Sequence, residues 1–153
     1  MKSIATIAIA AASLAVFCQQ AQAQAQSQSP AGAHDHVSAA PLGAPKFDAK
    51  GIARTETVRS EFDSTREAVQ VRVDFAAGAS FPKHSHPGVE IAYVLNGVIE
   101  YELNGKVVRL KAGESIYIPA GAVHSAKNVG PGITSELATY LVEKNKPIVI
   151  LDK

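Results

Sequence analysis

The chain has 153 residues, 46% of them hydrophobic and 19% charged, a size and balance that suit one globular domain better than two. Fifteen basic residues against 14 acidic give a formal net charge of +1, which provides no electrostatic footprint for nucleic acid. One cysteine, Cys18, leaves no intramolecular disulfide to stabilise the fold.

In chain order, Met1-Lys2 is a short positive start and Ile4 to Phe17 an apolar run of 14 residues, shorter than the roughly 20 that a membrane-spanning helix needs. The "AQAQAQ" that follows places small residues at alternate positions. This reads as a signal peptide over residues 1–23, cut after Ala23 or Ala25, and the expected localisation is periplasmic or secreted. Cys18 invites a lipoprotein reading, but Phe17 stands where a small residue is needed. No second apolar run is long enough to span a membrane, so no membrane contact is expected after cleavage.

Residues 24–45 are dominated by Ala, Gln, Ser, Pro and Gly, too little apolar surface to offset ordering entropy, and are expected to form a flexible leader. His34 and His36 fall within it. The folded domain is expected over residues 46–153.

There the pattern is β throughout. "EAVQVRVDF" alternates Val69, Val71, Val73 and Phe75 with Gln70, Arg72 and Asp74, the period-two signature of a half-buried strand. "VEIAYVL", "VIEYEL", "KVVRL", "ESIYIP", "HSAKNV", "SELATYLV" and "PIVIL" are further short β-rich runs, separated by turn signals such as Asn96-Gly97, Asn104-Gly105 and Ala112-Gly113. Many short strands at close spacing predict an antiparallel sandwich or barrel.

"KHSHPGVE" carries the chemistry. Alternate strand residues point the same way, so His84 and His86 suit one metal, and Pro87-Gly88 lets the chain bend before presenting Glu90. Two imidazoles and a carboxylate are a set that binds Fe(II), Mn(II) or a similar ion with open positions. Outside the leader the one remaining histidine is His124, a candidate further ligand after the turn at Pro119 and Gly121.

The spacings are specific. Gly78, His84, His86, Glu90 and Gly97 form one motif, and Gly113, Pro119, Gly121, His124 and Asn128 a second, with 15 residues between them. Both resemble the signature motifs of the cupin superfamily. The resemblance runs from about Glu67 to Val142 and implies a double-stranded β-helix, or jelly-roll barrel. It further implies one divalent ion (Fe, Mn, Ni, Cu or Zn) held by His84, His86, Glu90 and His124, and pairing into a homodimer.

Members of the superfamily include dioxygenases, lyases, isomerases and non-enzymatic binders, so the fold does not name the reaction. A small-molecule enzyme is expected, with Glu90 also serving as a base; a periplasmic metal or ligand binder is the alternative. Flavonol dioxygenases resemble this ligand set. Lyases that cleave dimethylsulfoniopropionate are a poorer match, because this chain has Ala92 where they carry a tyrosine. Tyr93, turned away from Glu90 by parity, is expected on the outer face or at an interface. Glu100 and Glu102 are expected to point outward. Tyr140, Glu136 and Arg72 have the opportunity to line the pocket but are read as ordinary strand residues.

Overall fold

The computed structural model describes residues 43–152. The expected signal peptide, most of the expected leader and the His34/His36 doublet lie outside the described residues. Ten strands form two antiparallel sheets, and among the described residues there is no helix. One sheet is built from β1 (Ile52–Glu61), β2 (Arg66–Phe75), β4 (Gly88–Asn96), β7 (Ser115–Ile118) and β9 (Thr134–Glu143), in the order β1-β2-β9-β4-β7. The other holds β3 (Ser80–Ser85), β5 (Val98–Leu103), β6 (Lys106–Lys111), β8 (His124–Asn128) and β10 (Ile150–Leu151), in the order β10-β3-β8-β5-β6. Sequential strands alternate between sheets through much of the chain, which is the all-β jelly-roll arrangement that the two motifs imply.

The alternating run in β2 behaves as expected. Val69, Val71, Val73 and Phe75 are all buried, and each such side chain withdrawn from water contributes roughly 2 kcal/mol. They meet Ala92 and Val94 of β4, Ile99 and Tyr101 of β5, and Ala138, Tyr140 and Val142 of β9 in one core cluster. Asp74 departs from the expected outward face. It is buried at 1% exposure, held by Arg72 at 2.8 Å and by a 2.5 Å hydrogen bond from the Ser135 hydroxyl. Those partners offset the desolvation of its charge. Arg72 is thereby occupied at the outer side of the sheet.

The β5–β6 hairpin turns at Asn104 (φ 51°) and Gly105 (φ 73°), the paired left-handed residues of a type I′ turn that matches strand twist. β1 was not among the expected strands. Its sequence, "IARTETVRSE", buries only Ile52 and Ala53, so no alternation announces it; pairing with β2 along nine register positions makes it a strand. "PIVIL" yields only the two residues of β10, paired with β3.

The bend expected of Pro87-Gly88 falls at Pro87, between β3 and β4. Gly88 opens β4 paired with Val142 of β9, and a Cβ there would stand 2.0 Å from the Leu141 carbonyl oxygen. Gly88→Ala is therefore expected to force the two strands apart and destabilise the fold by about 3 kcal/mol, at the upper end of overpacking costs. Thermal unfolding would check this; an unchanged midpoint would show that β9 yields freely.

Candidate metal centre

Strand pairing assembles the site from both sheets. His84 on β3 and His124 on β8 are register partners in one sheet, and their rings stand 4.1 Å apart between centroids. Glu90 comes from β4 in the opposing sheet, paired with Tyr140 of β9 and Ile118 of β7. His86 lies one residue beyond the end of β3 rather than within it. It is held there by two contacts: its carbonyl accepts the Gly121 N–H at 3.0 Å, and its Nδ1 lies 2.5 Å from the Ile148 carbonyl. The Pro119–Gly121 turn and the segment before β10 thus clamp the second histidine in place of strand alternation.

All four residues are buried, at 2–5% exposure, and one ligand atom from each lies within 4.8 Å of all the others. Each imidazole turns Nδ1 to a backbone carbonyl: His84 to Pro82 at 2.8 Å, His86 to Ile148, and His124 to Ala122 at 3.0 Å. A carbonyl only accepts, so Nδ1 carries the hydrogen and each Nε2 keeps a free lone pair. These lone pairs confront the Glu90 carboxylate. His86 Nε2 and His124 Nε2 stand 2.8 and 3.3 Å from Glu90 Oε2, yet neither His86 Nε2 nor Glu90 Oε2 has a hydrogen-bond partner.

Buried acceptors facing one another need a cation between them. Three nitrogens and one carboxylate oxygen, with the opposite ring nitrogens anchored, are the chemistry of a first-row transition-metal site. The four residues are placed to hold a metal ion. Burial, with His124 close by, brings the His84 imidazole down to about 4, which keeps it neutral and ready to ligate.

Beyond the ligands, Arg54, Val73, Phe75, Phe81, Tyr101, Ala126, Glu136 and Tyr140 line the rest of the cavity. The free space is about 10 Å³, about what one water needs. Glu136 and Tyr140, read from sequence as ordinary, are therefore part of the wall, whereas Arg72 is not. Tyr101 and Arg54 were not singled out at all. Tyr101 donates a short hydrogen bond to Glu136 Oε2, and the Tyr140 ring packs 4.8 Å from that of His86. Tyr93 faces outward at 45% exposure. Glu100 and Glu102 also point outward, to Arg109 and Lys83.

Burial, helped by the charge of Glu90, pushes the Glu136 carboxyl up to about 8 from 4.5. It is neutral at pH 7. Below pH 4.5 it is protonated whether the chain is folded or not; from there to about 8 only the unfolded chain ionises it, so stability falls as pH rises, by at most about 1.4 kcal/mol per pH unit. In the metal-free protein, Glu136→Gln is expected to remove that fall. Denaturant midpoints across this window check it, and parallel curves for the two proteins would contradict a neutral Glu136.

The family model described as "Cupin domain" matches residues 71–140, a stretch that includes all four candidate ligands. Residues 71–140 are thus a cupin domain. A germin-like protein of rice is 36% identical over 75 residues, covering 45% of this chain and 35% of that protein. Wheat oxalate oxidase is 34% identical over 103 residues, covering 59% and 45%. This cupin therefore spans less than half the length of those two relatives. Among solved structures, a predicted oxalate decarboxylase of Thermotoga maritima matches with a TM-score of 0.51 at 28% identity, covering 66% of this chain and 81% of that one.

Proposed function

We propose that this cupin is an exported, metal-dependent enzyme that acts on a small organic molecule by oxidation or bond cleavage. The observation that supports it most is the interior convergence of three unprotonated Nε2 atoms and a carboxylate oxygen beside a second, non-ligating acid, Glu136. A bound divalent ion would act as a Lewis acid and, if redox-active, engage oxygen. The chain's own residues do the rest. His84, His86 and His124 keep Nε2 unprotonated through their Nδ1–H bonds, Glu90 offers a basic oxygen, Tyr101 fixes Glu136, and Phe75, Phe81 and Val73 exclude water. The small free space favours substrates of few atoms over flavonol-sized ones.

Oxygen uptake and product formation by the metal-loaded protein, measured with oxalate, small diols, diketones and a flavonol, test this reading. Turnover of a small substrate is expected, lost in Glu90→Gln. The cramped cavity also favours a second reading, a periplasmic metal binder; a protein that holds metal tightly and turns over none of these compounds would establish it over the first.

Export rests on the sequence reading of residues 1–23, and N-terminal sequencing of periplasmic protein should begin at Gln24 or Gln26. A homodimer is also proposed. On the outer face of the first sheet, Ile91, Tyr93, Leu95 and Tyr117 stand 44–58% exposed on adjacent strands β4 and β7, and a contiguous uncharged patch of this kind fits a second copy of itself. Sedimentation is expected to give twice the chain mass, and Tyr93→Glu to give the monomer; a wild-type monomer at tens of micromolar would remove the proposal.

A further inference from the structure

Four of the five arginines hold carboxylates: Arg59 with Glu56 and Glu67, Arg66 with Asp63, Arg72 with Asp74, and Arg109 with Glu100. Among the described residues Arg54 holds none. It follows buried Ile52 and Ala53 on β1, and its guanidinium carbon lies 5.7 Å from the centre of the Phe81 ring, which in turn packs edge-on against His84. Arg54 lines the metal cavity on one side and, on the other, a surface depression shared with Lys46. It stands at the mouth, with its charge reaching Glu136 and Tyr140 within.

Glu136 is the second unusual group. At 4% exposure it is a buried carboxyl whose one hydrogen-bond partner is the Tyr101 hydroxyl, and no salt bridge joins it to Arg54. A buried acid without a cation partner persists as the neutral form, which has a hydrogen to donate.

We propose that Arg54 and Glu136 form a carboxylate-binding subsite beside the metal ligands, in which the Arg54 guanidinium grips the carboxylate of a small organic acid and the Glu136 carboxyl donates a hydrogen bond to another oxygen of the same molecule. The planar guanidinium matches a carboxylate two bonds at a time, which an ammonium cannot do. Charge points the same way. A divalent ion with Glu90 leaves one positive charge, Arg54 adds another, and burial disfavours a compensating negative charge on Glu136. The cavity thus attracts an anion, and because its interior has room for about one water, the acid would enter by one end and leave the rest at the mouth beside Arg54. This subsite rests on the metal-centre reading above and narrows it to organic acids.

The test is binding rather than turnover. Protein loaded with Mn(II), its metal content measured, is titrated calorimetrically with malonate and, separately, with azide, which reaches a metal without extending to the mouth. Wild type is expected to bind both. Arg54→Gln should weaken malonate about tenfold to a hundredfold, the loss of a charge-assisted bidentate contact, with azide changed less than about threefold; Arg54→Lys should fall between. Glu136→Gln, which preserves a donor, should bind malonate within about threefold of wild type.

Malonate binding unchanged by Arg54→Gln, or weakened together with azide, overturns the subsite. So does wild type that binds azide but not malonate. A tenfold gain in Glu136→Gln would show a repelling carboxylate and overturn the role of Glu136. Failure to take up metal removes both readings, whereas metal and azide binding with the wrong malonate pattern removes this one alone. Arg54 is exposed, so unfolding midpoints for its variants should match wild type, and a matching midpoint makes a binding change attributable to the subsite.

Discussion

His124→Ala is expected to lower metal affinity by more than about a hundredfold while leaving the barrel folded. Four-ligand structural zinc sites bind with about 10–16 kcal/mol, or roughly 3 kcal/mol per ligand, and each 1.4 kcal/mol is a factor of ten. His124 cannot be replaced from nearby. Its neighbours across the pairing are His84 and Leu103, and the other described histidines already belong to the centre. The substitution also leaves Glu90 Oε2 facing His86 alone, and frees the Ala122 carbonyl that His124 Nδ1 had satisfied. Equilibrium dialysis against Mn(II) or Zn(II) with elemental analysis is the check. Tyr93→Ala, on the outer face, is the control and should bind metal as wild type does. Equal metal content in His124→Ala and wild type would mean that the ion sits elsewhere.

Asn128→Ala acts through the fold instead. Asn128 is 1% exposed at the end of β8. Its amide nitrogen lies 3.0, 2.9 and 2.7 Å from the carbonyls of Phe75, Ala76 and Gly132. Its oxygen accepts the Gly130 N–H at 2.9 Å and the Thr134 hydroxyl at 2.7 Å. One side chain therefore ties the end of β2, the turn before β9 and the start of β9 to β8. Alanine would orphan several of these groups, at about 1–3 kcal/mol for each that stays buried and unpaired. A loss of at least about 3 kcal/mol is expected, lowering the unfolding midpoint by more than about 10 °C for a domain of this size. Below that temperature metal affinity should fall less than tenfold, because Asn128 touches no candidate ligand. A variant with a normal midpoint but no metal would reverse the roles assigned to Asn128 and His124.

The candidate ligands were legible because a metal imposes residue type and spacing together, and the β alternation around them agreed independently. β2 was legible for a related reason: one face of it is Val, Val, Val and Phe and the other is polar. β9 shows where that logic fails. Glu136, Ala138 and Tyr140 face inward, but Leu137 and Leu141 on the outer face are also half-buried, so apolar residues on both faces hide which parity points to the cavity. Glu136 and Tyr140 consequently looked ordinary. Arg54 was hidden more deeply, because β1 has no hydrophobic period and exists through its pairing with β2. His86 shows a motif that succeeds for a partly different reason: strand alternation predicted its direction, but the Gly121 and Ile148 contacts hold it.

The most direct test of the metal centre is anomalous diffraction from crystals of the full chain grown with Mn(II). A single strong peak is expected per chain, bounded by Nε2 of His84, His86 and His124 and by the Glu90 carboxylate. A peak at His34 and His36 instead, or ordered side chains around the four candidate ligands with no peak between them, would contradict it.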